Sequence, residues 1–207
     1  MLHKKRILIF SCTFTLKSWT TSWALTNLGL SRKLLLLLFF ISSLVETHLN
    51  YMIAIWGSAS DSLIKPLQVI QNRALRNVFN LDRLLNRNEM YRDMVDDNLP
   101  IRGLFYANVA GFVYKARKNL MFCNVTFDRG TRRTGRRNNI YLRPDLSRTM
   151  YGSRAITAIG PRIFNDLPED IQKSHHFGVF KRAVKAHLRQ EEMLQSCFNG
   201  DFLSKFT

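Results

Sequence analysis

From residue 60 onward the apolar positions of this chain recur at the spacing of helices rather than of strands. Leu63, Leu67, Ile70, Ala74 and Val78 fall on one side of a 3.6-residue helix, and Lys65, Gln68, Asn72, Arg73 and Arg76 fall on the other. The pattern therefore predicts that the first set packs and the second faces solvent or phosphate. Pro66 fits such a helix as a first-turn residue, since a deeper proline would delete a backbone bond and clash with the preceding turn. A second helix is predicted over about Ile101 to Lys118, with Phe105, Val109, Phe112 and Ala116 as its core positions. Gly111 inside it costs backbone entropy and marks close packing. A third helix fits Phe177 to Leu194, with Phe180, Val184 and Leu188 apolar and Lys181, Lys185 and Arg189 exposed. The residues from Gln195 read as a loose tail. Thr149 to Ile159 alternates loosely and, punctuated by Gly152 and Gly160-Pro161, predicts a short strand or hairpin. Leu167-Pro168-Glu169-Asp170 then reads as a turn and helix start.

Two apolar runs lie nearer the N-terminus. Met1 to Arg6 followed by Ile7 to Leu16 has the layout of a signal peptide, but Lys17 ends the run and no clean small-x-small cleavage site follows closely. The run Leu34 to Val45, bounded by Arg32-Lys33 and Glu46, offers about 12 residues where a spanning helix needs about 20. It reads as a buried helix. Residues 1–30 match nothing else in the organisation of the chain and stand as an unplaced leader.

Charge changes this picture more than composition does. With 31 Lys plus Arg against 15 Asp plus Glu the formal charge is +16 on 207 residues, a field that attracts polyanions: nucleic acid or an anionic membrane surface. The excess is concentrated between Lys115 and Arg162, where twelve Lys or Arg meet only Asp128 and Asp145. Its densest point holds Arg132, Arg133, Arg136 and Arg137. The guanidinium fork suits phosphate oxygens, and Phe122, Phe127, Tyr141 and Tyr151 are placed to stack on bases. A nuclear-address signal or a merely solvated basic loop is the competing reading of the same residues. The basic side of the first helix, with Lys65, Arg73 and Arg76, is likewise either a solvated face or a phosphate contact.

Candidate catalytic chemistry is sparse. Met94-Val95-Asp96-Asp97 imitates the aspartate pair of a two-metal polymerase site, yet Asn98-Leu99-Pro100 follows it and no partner aspartate sits in an apolar strand upstream. His175-His176 has no positioned carboxylate or cysteine and reads as a turn, and His48 reads as a packing or hydrogen-bonding residue. Cys12, Cys123 and Cys197 stand far apart, so neither a zinc knuckle nor a disulfide framework is predicted. No cofactor and no metal are expected.

Two distant motifs occur together: His48-Leu49-Asn50-Tyr51, Trp56-Gly57 and the helix Leu67 to Arg76 form the first, and Gly160-Pro161-Arg162-Ile163-Phe164-Asn165-Asp166-Leu167-Pro168 the second. With Asn98-Leu99-Pro100-Ile101 and Tyr114-Lys115 between them, the chain resembles, over about residues 31–190, the C-terminal, thumb-side region of non-LTR retrotransposon reverse transcriptases of the jockey-like kind. The resemblance implies a mainly α chain: a helical thumb-like domain (31–118), an Arg-rich connector (119–148), a small C-terminal α+β module (149–194) and a tail (195–207). It implies a fragment that grips a template-primer duplex through phosphates, RNA–DNA or another nucleic-acid duplex, while the polymerase carboxylates lie upstream on domains that another chain could supply. No small-molecule substrate is implied, a membrane partner is disfavoured, and the setting expected is intracellular, with the nucleus as its candidate compartment. Two other classes compete: an inactive transposon-derived remnant, and a membrane-associated or secreted basic protein using residues 1–45.

Overall fold

The computed structural model describes residues 47–79, 81–94, 98–120 and 141–198. In chain order its helices are α1 (Thr47–Asn50), α2 (Ile53–Trp56), α3 (Asp61–Phe79), α4 (Arg87–Glu89), α5 (Ile101–Arg117), α6 (Met150–Ser153), α7 (Ile156–Asp166), α8 (Glu169–Gln172), α9 (Phe177–Leu188) and α10 (Glu191–Phe198). A π-helical turn, Met90–Met94, continues α4. The architecture is mainly α, with no strand among the described residues.

Helix α5 is the centre of the molecule because apolar residues occupy most of its circumference. Ile101, Phe105, Tyr106, Val109, Ala110, Val113 and Tyr114 are all buried, and α2, α3, α7, α9 and α10 pack around them. A helix apolar on nearly every side must be covered on nearly every side. The periodicity located this helix to within a residue, although Phe112 and Ala116 are only half buried and Tyr106, Val113 and Tyr114 take their expected place in the core. Ile159, Ile163 and Phe164 of α7 and Phe180, Val184 and Leu188 of α9 join the same apolar cluster. Tyr114 stacks on Phe180 at 4.4 Å between ring centres and an interplanar angle of 25°. The segments assigned above to a thumb-like domain and a C-terminal module thus share one core.

The expected strand over Thr149 to Ile159 is helical instead. Thr149 caps α6, its hydroxyl accepting the Gly152 N–H at 3.1 Å. Gly160-Pro161 does not punctuate but lies inside α7. The ring of Pro161 removes one bond to the carbonyl four residues back, that of Thr157, and the Asp145 N–H reaches that carbonyl at 3.5 Å. Breaking the pattern at Gly160 hid the helical period that links Ile156, Ile159 and Ile163. The third predicted helix also divides: α9 ends at Leu188, and α10 begins at Glu191. Gln195 therefore sits in a helix, not a tail, and Leu194 and Cys197 beside it are buried. The break redirects Leu194 onto Leu75, Met90 and Tyr91, a second apolar cluster.

The largest departure concerns α3, whose buried side is turned from expectation by about one residue, roughly 100°. Ile64, Gln71, Asn72 and Leu75 are buried, whereas Leu63 and Ile70 are 65% and 60% exposed. The reason lies at the start of α5. The first backbone N–H groups of a helix have no partner within it, and the N-cap here is Pro100, which has no capping side chain. Gln68 supplies the cap from α3: its Oε1 accepts the Ile101 N–H at 2.8 Å. Gln71 Nε2 donates to the Leu99 carbonyl at 2.9 Å. Gln68 Nε2 also lies 2.9 Å from Asn72 Oδ1 and 3.0 Å from Tyr91 Oη, and Tyr91 in turn donates to Asn72 Oδ1 at 2.8 Å. A buried backbone polar group without a partner costs about 1–3 kcal/mol, so satisfying several of them outweighs leaving aliphatic side chains in water. Pro66 falls in the second turn rather than the first, on the exposed side.

Arg102 fixes the other end of this junction. Its guanidinium donates to the carbonyls of Gly57 at 2.7 Å and Ala59 at 2.9 Å and pairs with the Asp61 carboxylate. The side chain is 3% exposed, so the charge is compensated rather than solvated. The same corner explains Gly57, where a Cβ would stand 2.6 Å from Phe105 Cδ2. Burial pushes the phenols of Tyr91 and Tyr106 well above the usual range, and beside Tyr106 the Asp166 carboxylate adds to the effect, so both are held neutral.

Two substitutions test this account. Arg102→Ala strands the buried Gly57 carbonyl, the part-buried Ala59 carbonyl and one carboxylate and should cost about 3 kcal/mol, read as a lowered urea midpoint. Gly111→Ala should do the reverse. A Cβ there would lie 3.5 Å from Phe177 Cε2, ordinary contact, so recovery of helix propensity should add about 0.5–1 kcal/mol.

Candidate nucleic-acid interface

The basic side of α3 divides into two parts. Lys65 is exposed near the N-terminal end, eight residues and thus about 12 Å along the axis from Arg73. It stands apart from the other two. At the C-terminal end Arg73, Arg76 and Asn77 line an open groove of about 940 Å³, closed from the other side by Leu81 and Arg83. The structure therefore brings together Arg73 and Arg76 of the residues singled out in the sequence, and adds Arg83.

The chain turns back after α3 because Arg76 holds it there. Its Nη1 donates to the Asp82 carbonyl at 3.0 Å and to the Arg83 carbonyl, and its Nη2 donates to the Leu85 carbonyl at 2.9 Å. Asp82 Oδ1 accepts the Leu84 N–H at 3.1 Å, and the Leu81 N–H reaches the Arg76 carbonyl at 2.9 Å. Arg76 is thus first a positioning residue for the loop. A cation in the last turn also offsets the negative end of the α3 dipole, which would otherwise oppose an anion in the groove. Arg73 and Arg83, which also line the groove, are exposed.

The sequence did not single out Arg83 because one basic residue after a helix carries no pattern. Its place depends on the carbonyl clamp made by Arg76, which only the folded loop displays. The four arginines Arg132, Arg133, Arg136 and Arg137 lie outside the described residues, as do Phe122 and Phe127. Tyr151 is 87% exposed and Tyr141 half buried. The aspartates Asp96 and Asp97 also lie outside the described residues. His175 and His176 are exposed in the turn before α9, where the Ser174 and His175 carbonyls bond Tyr114 Oη at 2.9 Å each. His48 is exposed on α1.

The motif from Gly160 to Pro168 does structural work at this level. Asn165 exchanges two bonds with the Leu142 backbone, at 2.8 and 3.0 Å, and so pins the chain that returns from residue 141. Asp166 accepts the Tyr106 hydroxyl at 3.1 Å. Among the described residues no cluster of three His, Cys, Asp or Glu could hold a metal ion, and no helix is long and apolar enough to cross a membrane. Comparison with known proteins finds no family model, no curated protein and no solved structure that matches this chain.

The division of labour between the arginines is testable without a ligand. Arg76→Ala should speed amide hydrogen exchange at Leu84 and Leu85 by an order of magnitude or more as the loop opens locally, whereas Arg73→Ala should leave these amides unchanged.

Proposed function

We propose that this chain binds nucleic acid through the phosphate backbone, as the thumb-side part of a reverse transcriptase whose polymerising carboxylates lie on other domains. The observation that carries the reading is the convergence of Arg73, Arg76 and Arg83 on one open groove in a chain of net charge +16. Arginine forks bind phosphate oxygens bidentately and read no base, so the grip would be largely independent of sequence. The resemblance set out above supplies the template-primer duplex as the ligand and a polymerase as the larger assembly. By itself the chain would hold the duplex without extending it. The Arg132 to Arg137 cluster would add further phosphate contacts.

An inactive remnant of a mobile element is the second reading, and one observation favours it. Leu63 and Ile70 stand in water on α3, as a domain deprived of its neighbours would leave them.

The deciding experiment is binding of the full chain to a labelled RNA–DNA primer-template over a salt series. Affinity should fall by about 10³ between 50 and 200 mM salt if some six phosphates are engaged. Arg73→Ala with Arg83→Ala should lower the slope of log K against log salt by about 2 and weaken binding evenly across sequences. A folded sample that does not bind would leave the remnant as the account.

A further inference from the structure

The apolar stripe of α3 faces outward. Leu63 is 65% exposed, Leu67 38% and Ile70 60%, and they occupy one side of the helix over about 10 Å at 1.5 Å per residue, up to Ala74, which packs against the second apolar cluster. Tyr51, Met52 and Ile55, on the stretch that leads into α3, are exposed as well, at 72%, 53% and 66%. A continuous aliphatic stripe on a regular helix is a packing surface. Aliphatic side chains offer no platform for base stacking, which sets the stripe apart from the arginine groove.

We infer that this stripe is the docking face for residues 34–45 of the same chain. Ten of these twelve residues are Leu, Phe, Ile or Val, none is charged, and they end two residues before α1 begins at Thr47. As a helix they would extend about 18 Å, enough to cover the stripe from Leu63 to Ile70. A second copy is a poorer occupant, because bringing together two molecules of net charge +16 works against like-charge repulsion. The tether decides in the same direction. Only residues 46–62 separate the run from the stripe, and so short a connection gives an effective concentration on the order of mM, above any working concentration of free chain. The docking is independent of nucleic-acid binding and would remove the observation that favours an inactive remnant.

The test places the photo-crosslinker benzoylphenylalanine at Ile70 of the full chain and maps the products by mass spectrometry. The expected product is a monomer joined between position 70 and a residue within 34–45. A crosslinked dimer would overturn the inference in favour of self-association, and a crosslink elsewhere, or none, would overturn it outright. An independent readout is chymotrypsin cleavage at Phe39 and Phe40. Leu63→Glu with Ile70→Glu should raise its rate on the order of tenfold or more, because cleavage tracks the open population. The rest of the fold should be unaffected, since neither side chain belongs to either apolar cluster. An unchanged rate would sink the proposal.

Discussion

The fold depends on one unmet need: the buried start of α5 has no local means of satisfying its own backbone. Leu99 and Pro100 lead into the helix in full burial, and proline supplies no cap. Every neighbour has adjusted to that fact. Gln68 and Gln71 reach across from α3 to the Ile101 N–H and the Leu99 carbonyl. Arg102, one residue into the helix, draws the Gly57–Asp61 link down onto the same end. A cation there opposes the helix dipole, and the Asp61 carboxylate offsets it while favouring the start of α3. Two helices are thus joined by hydrogen bonds where a simpler packing would have used aliphatic contact.

That junction also explains what could and could not be read in the sequence. Helix α5 was legible because its burial is dictated by its own residues: Phe105 and Val109 must be covered whatever covers them. The start of α8 at Glu169 was legible for an equally local reason, Pro168 before two acids. The orientation of α3 was not. Periodicity ranks sides by hydrophobicity, whereas this helix is oriented by the polar groups it must satisfy on another element. The same limit applied at Thr149 to Pro161, where a Gly-Pro pair reads as a break unless the released Thr157 carbonyl is known to meet the Asp145 N–H. Of the candidate site, the charges on Arg73 and Arg76 were legible. Their closure into a groove with Arg83 was not, because it follows from carbonyls that no side-chain pattern records.

The two motifs on which the resemblance rests acquire physical reasons here. Trp56-Gly57 is the close approach of α2 to Phe105, with the glycine carbonyl bound to Arg102. Asn165 and Asp166 tie the incoming chain at Leu142 and the hydroxyl of Tyr106 to one turn of α7. Both motifs meet on α5 from opposite parts of the chain. These residues maintain the scaffold, whereas Arg73 and Arg76, on the helix of the first motif, line the groove.

The clamp made by Arg76 has a kinetic side. Loops that order only when a ligand arrives lose conformational entropy at that moment, and their affinity and association rate fall accordingly. Here the Asp82, Arg83 and Leu85 carbonyls are already held by the Arg76 guanidinium in the fold. Under the proposed phosphate grip, an anion entering the groove would find the loop already set and could leave without any rearrangement of that loop. Fast exchange without loss of register is what a surface needs if a duplex is to slide past it one step at a time.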